Sequence, residues 1–107
     1  MKASEFIVIF STCPSEQVAM DLALQLVEKK LAAGVNILPI VKSIYIWKGE
    51  TRIDDEVQLM IKTQRDKFEA ISAHINEVHP YELPEVVAVS LTCGLSSYLS
   101  WINKTVE

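Results

Sequence analysis

Between Val35 and Lys48 the chain reads VNILPIVKSIYIWK, a run dominated by β-branched and aromatic residues with a period of two. Such a run spells a strand, and its length is the constraint. About 14 residues at ~3.3 Å each reach roughly 45 Å, against ~17–20 Å for an ordinary strand. Part of it must overhang any sheet that a 107-residue chain can build. The overhanging end carries Ile44, Tyr45, Ile46 and Trp47, apolar on both faces, and monomers avoid leaving such a patch in water. These four residues are therefore expected at an oligomer interface closed by cyclic symmetry. Pro39 marks the strand as an edge or a bulged one.

Lys48-Gly49-Glu50 turns the chain, and Ile53, Val57, Leu59 and Ile61 then alternate with polar residues on a returning strand, which makes a hairpin. Upstream, Phe6 to Phe10 is a continuous apolar run that reads as a central strand buried on both faces. Pro14 sits at the expected first position of a helix whose Val18, Leu22 and Leu26 recur at helical spacing. It is expected to end near Ala33, with Gly34 as a left-handed cap. Downstream, Asp66 is the expected cap of a second helix striped by Phe68, Ile71, Ile75 and Val78, which must stop at His79-Pro80 because proline pushes its predecessor out of the helical region. Val86 to Leu91 reads as a last apolar strand, and Ser96 or Ser97 opens a short helix with Tyr98, Leu99 and Ile102 on one side.

The order βαββαβ followed by an appended helix predicts one α+β domain spanning residues 1–107. Its natural packing is the ferredoxin-like split βαβ fold, an antiparallel four-stranded sheet with two helices on one face and an extended hairpin between the second and third strands.

The formal charge of −4 removes any general attraction to nucleic acid or to anionic membrane, so neither is an expected partner. The apolar run near the N-terminus is too short for a signal core or a membrane span, which sets a cytoplasmic expectation. Cys13 and Cys93 belong to no CxxC pair and predict reduced thiols, Cys93 as core. None of the three glycines forms a phosphate-binding pattern, so no organic cofactor is expected, and no hydrolase, deaminase or HExxH motif points to an enzyme.

Chemistry concentrates in HPYELPE, residues 79–85. His79 is a candidate metal ligand or proton carrier; the competing reading is a helix-terminal histidine favoured by the dipole and bonded to the last carbonyls of its own helix. Tyr81 and Glu82 beside it are candidate cleft residues, as is Trp101, although aromatics more often plug interfaces. Glu56, on the polar side of the returning strand, is a candidate ligand at a subunit boundary or a solvated carboxylate. Cys13 precedes a helix, where a thiol is either activated or simply a small buried hydrophobe. His74 lies on another face of its helix and is expected in solvent.

Taken together, STCPSE, EKKLAAGVNILP, SIYIWKGE, DDEVQLMIKT, HPYELPE and YLSWI, in that order, resemble the CutA divalent-cation-tolerance family along nearly the whole chain. The resemblance implies a homotrimer with hairpins completing sheets between neighbours, and a role in tolerance of copper or another divalent metal. It also implies divalent-metal binding, with Cu²⁺ foremost, through His79, Glu56 and Cys13. Three positions depart from the family pattern: Ser11 and Gly34 replace cysteines and Val78 replaces a histidine, which weakens a soft-metal ligand set. A second reading, by analogy with the PII signalling trimers, is a regulatory module that takes a small molecule or protein partner in clefts between subunits.

Overall fold

A computed structural model describes residues 2–107. Strand β1 (Phe6–Cys13) leads into α1 (Glu16–Glu28), the hairpin β2 (Gly34–Trp47) and β3 (Glu50–Gln64), α2 (Phe68–Val78), the short β4 (Val87–Ser90) and α3 (Ser96–Val106). The sheet order is β2-β3-β1-β4, with every pairing antiparallel, as the split βαβ fold requires. The central position of β1 and the antiparallel hairpin agree with the sequence reading.

Helices α1 and α2 cover one face of the sheet. Alternation along β1 and β3 sends Ile7, Ile9, Cys13, Val57, Leu59 and Ile61 to that face, where Leu22, Leu26, Ile71 and Ile75 close over them. The opposite face is covered only at one end, where α3 sets Leu99, Ile102 and Val106 against Phe6. Hence β1 is not buried on both faces throughout: Val8 and Phe10 are half-buried. The third helix is more than an appendage, since it carries this second core. Tyr98 is exposed, and the third member of its packed stripe is Val106.

Several boundaries differ from the sequence reading, each for a local reason. Ser15, not Pro14, opens α1, and its Oγ accepts the Val18 N–H at 3.2 Å. The helix ends at Glu28 rather than near Ala33, because Lys30 takes the left-handed conformation (φ 59°). The Lys30 and Leu31 N–H groups then bond the carbonyls of Val27 and Leu26, a Schellman closure reached without glycine. Gly34 instead opens β2. A 3₁₀ turn at Arg65–Lys67 precedes α2, so Asp66 is not its cap. His74 is half-buried, with Nε2 2.7 Å from Gln25 Oε1, and Cys93 is exposed on the loop after β4.

Pro39 falls where its chemistry permits, in an edge strand and inside a bulge: Leu38 pairs with Gln58 and Val41 with Glu56, so Pro39 and Ile40 together oppose Val57. Beyond this point β1 supplies no partner, because its last pair is Cys13 with Val57. From Val41↔Glu56 to Trp47↔Glu50 the hairpin is a bare two-stranded ribbon, closed by Lys48 and Gly49, both at positive φ as a two-residue hairpin turn demands. The ribbon stretches the molecule to 44 Å in its longest direction.

Candidate functional site

The bulge fixes which side chains the ribbon shows on each face. Val41, Ser43, Tyr45 and Trp47 align with Glu56, Asp54, Arg52 and Glu50, while Ile44 and Ile46 align with Ile53 and Thr51 on the reverse. The isoleucine face is open: Ile44 is 68% exposed, Ile46 75% and Ile53 65%. The aromatic and acidic face turns toward the segment after α2, and the two enclose a cleft of about 880 Å³ lined by Tyr45, Trp47, Asp54, Glu56, Tyr81 and Glu82 among others.

At the root of the cleft Glu56 is only 6% exposed, and its Oε2 accepts the Tyr81 hydroxyl at 2.6 Å. Burial, then the hydrogen bond to Glu56 and its charge, pushes the Tyr81 phenol well above its ordinary value, so it remains a donor. Tyr45 likewise donates to Asp54, and that hydrogen bond raises its phenol. Each carboxylate is thus oriented by a tyrosine.

His79 holds the far wall in place. Its Nε2 lies 2.7 Å from the Thr12 carbonyl oxygen, which can only accept, so Nε2 carries the hydrogen; Nδ1 accepts the Tyr81 N–H at 3.0 Å. The ring therefore ties the end of α2 to the end of β1 and sets the Tyr81 ring 4.7 Å away. Both imidazole nitrogens are committed to backbone.

Cys13 is fully buried, and burial, reinforced by the charge of Glu56, pushes its thiol up to about 11. It is a protonated core group at neutral pH. Cys13, Glu56 and His79 gather at one end of the sheet, but a committed imidazole, a protonated thiol and one carboxylate do not make a soft-metal coordination sphere. Among the described residues no three His, Cys, Asp or Glu side chains are placed to hold a metal ion.

Glu82 stands exposed at the rim, 3.8 Å from Lys48, whose ammonium lies 5.7 Å from the Trp47 ring centroid. Trp101 is not brought to the cleft: it lies over Gly34 and against Tyr98, with ring centroids 5.4 Å apart. Sequence reasoning missed the pairing of Tyr45 with Asp54, whose register neighbours are Arg52 and Ser43; the diagonal offset of two was the available signal. It also missed Thr12, which acts through its carbonyl and leaves no signal in residue type.

A ferredoxin-like domain with an overlong ribbon and a tyrosine-braced acidic cleft at its root is the class that fold and site define. The chain belongs to the family described as CutA1 divalent ion tolerance protein, whose model matches residues 7–105. It is 46% identical over 98 residues to Protein CutA of Mus musculus, covering 92% of this chain and 55% of that protein, so it spans about half the length of that relative. The crystal structure of CutA from Xylella fastidiosa is 40% identical and superposes with a TM-score of 0.93 over 97% of this chain and all of the other. A structure named periplasmic divalent cation tolerance protein CutA, from Archaeoglobus fulgidus, is 36% identical with a TM-score of 0.93, covering 95% and 99% of the two chains.

Proposed function

We propose that this chain serves divalent-cation tolerance as a homotrimer acting through its cleft by binding, not by catalysis and not through a closed metal centre. The observation that carries this reading is the state of His79, whose two nitrogens both serve backbone groups while the neighbouring Glu56 keeps a carboxylate at the cleft root. Trimerisation is supported by the open isoleucine face of the ribbon, which a second copy would cover. The number three comes from the resemblance. A binding role is supported by the protonated Cys13, which leaves the cleft without a thiolate nucleophile. Copper or another divalent ion meets this chain weakly, through Glu56 and its carboxylate neighbours. The volume and aromatic walls of the cleft favour the second reading too, a regulatory module that takes a small molecule between subunits. Among the described residues no helix is long and apolar enough to cross a membrane. A cytoplasmic location is part of the proposal and is read by fractionation.

Calorimetric titration with Cu²⁺ tests the main claim. The expected isotherm is shallow, is weakened further by Glu56→Gln, and is unchanged by His79→Ala once the fraction folded is matched. A tight stoichiometric isotherm abolished by His79→Ala or Cys13→Ala would restore a metal centre and remove this reading.

A further inference from the structure

The geometry points to a ligand class for the cleft: a small aliphatic amine, preferably with two or more ammonium groups, bound with one ammonium on Glu56 and its carbon chain along Tyr45 and Trp47. This deepens the cleft reading above and rests on it.

Three observations converge. Glu56 is buried except for 6% of its surface, and only Oε2 has a partner; among the described residues Oε1 accepts no hydrogen bond and is not sealed from solvent. A nearly buried carboxylate with a free oxygen invites a donor that brings its own charge. Secondly, five carboxylates line the cleft against two cations, Lys48 and Arg52, and Lys42 pairs with one of the five, Asp55, at 2.7 Å; the carboxylates still outnumber these three cations, so the field draws cations in. Divalent metals need several oxygens converging on one point, which these side chains do not provide. An ammonium needs only one carboxylate and an adjacent polar or aromatic surface.

Thirdly, the chain already seats an ammonium in this manner. Lys48 Nζ lies 5.7 Å from the centroid of the Trp47 indole and 3.8 Å from Glu82, a cation held between an aromatic ring and an acid. An incoming amine would use the same chemistry at the root that Lys48 uses at the rim. The volume of about 880 Å³ admits an extended carbon chain between the two, and more than one uncompensated carboxylate favours more than one ammonium.

The test is a titration of the full chain, in a Trp101→Phe background that leaves Trp47 as the only indole, with 1,4-diaminobutane and then 1-butylamine, 1,4-butanediol and Mg²⁺. The expected result is a saturable change in Trp47 fluorescence with diaminobutane, a weaker one with butylamine and none with butanediol. Glu56→Gln should raise the midpoint about tenfold or more, the scale of a lost charged hydrogen bond. Asp54→Asn, on the exposed part of the ribbon, should raise it less and serves in its place if Glu56→Gln fails to fold by circular dichroism. No saturable change, a midpoint indifferent to both variants, or an equal response to butanediol or Mg²⁺ overturns the amine. Cu²⁺ titrated into the same sample reads the parent proposal separately: tight stoichiometric metal binding sinks the cleft reading, whereas silence toward both metal and amine sinks only the amine.

Discussion

Near the sheet, Val35 and Ile37 of β2 face Ile61 and Leu59 of β3 and are packed beneath the helices; beyond the bulge, Ile44 faces Ile53 in the same antiparallel register with most of both side chains in water. The two ends of one hairpin have similar residues and opposite surroundings. Apolarity sets a demand for cover, and the chain's own helices meet it only as far as they reach. The inner half is finished by its own fold, and the outer half is left open by it.

The sharpest way to break this contrast is to truncate matched residues on either side of the bulge. Leu59→Ala, in the covered half, should cost about 2–5 kcal/mol in urea unfolding. Ile53→Ala, measured at concentrations where subunits are dispersed, should stay within about 0.5 kcal/mol; an equal loss at both sites would erase the distinction. Next, if the proposed trimer rests on this face, Ile44→Asp with Ile46→Asp should drop the light-scattering mass from three chains to one while far-UV dichroism is unchanged. A particle that keeps its mass would mean that the ribbon's isoleucines are not the contact.

Two smaller effects probe the covered half alone. Ser11 is fully buried and among the described residues its Oγ has no partner, so Ser11→Ala should add about 1 kcal/mol, the cost of an unsatisfied hydroxyl, to the chemical denaturation free energy. Any loss would show that the hydroxyl is satisfied in solution. The last concerns Cys13. Its folded thiol keeps its proton up to about 11, whereas an unfolded one releases it near 9.0. The stabilisation is whole below pH 9 and is lost as pH climbs through 11, so the urea midpoint should fall across that window and fall less in Cys13→Ala. Parallel profiles for the two proteins would place the thiol in contact with water.

How much of this was legible beforehand follows from what each feature depends on. The strand and helix order rests on periodicity, which residues such as Ile71, Ile75 and Leu59 display without help from the rest of the fold. The bulge was legible because proline lacks the donor that a regular ladder requires. The end of α1 was not, because Lys30 accepted a backbone conformation usually given to glycine, and only the two hydrogen bonds to Leu26 and Val27 reveal it. Of the candidate site, Glu56, Tyr81 and Glu82 were picked out by residue type, and the structure gathers them around one cleft. The commitment of His79 could not be read, since its partners are the carbonyl of Thr12 and the amide of Tyr81, and every residue of a sequence offers such groups alike.

The single surplus residue at Pro39–Ile40 acts as a phase switch. Were the two strands matched one for one along their length, Val41, Tyr45 and Trp47 would fall on the side of Val35 and Ile37, and the isoleucines would trade places with the aromatics. Inserting one residue between Glu56 and Val57, so that Pro39 and Ile40 are each opposed, would therefore leave the helix-packed body intact while turning the ribbon inside out, and a change of one position would undo the cleft and move the isoleucine patch together.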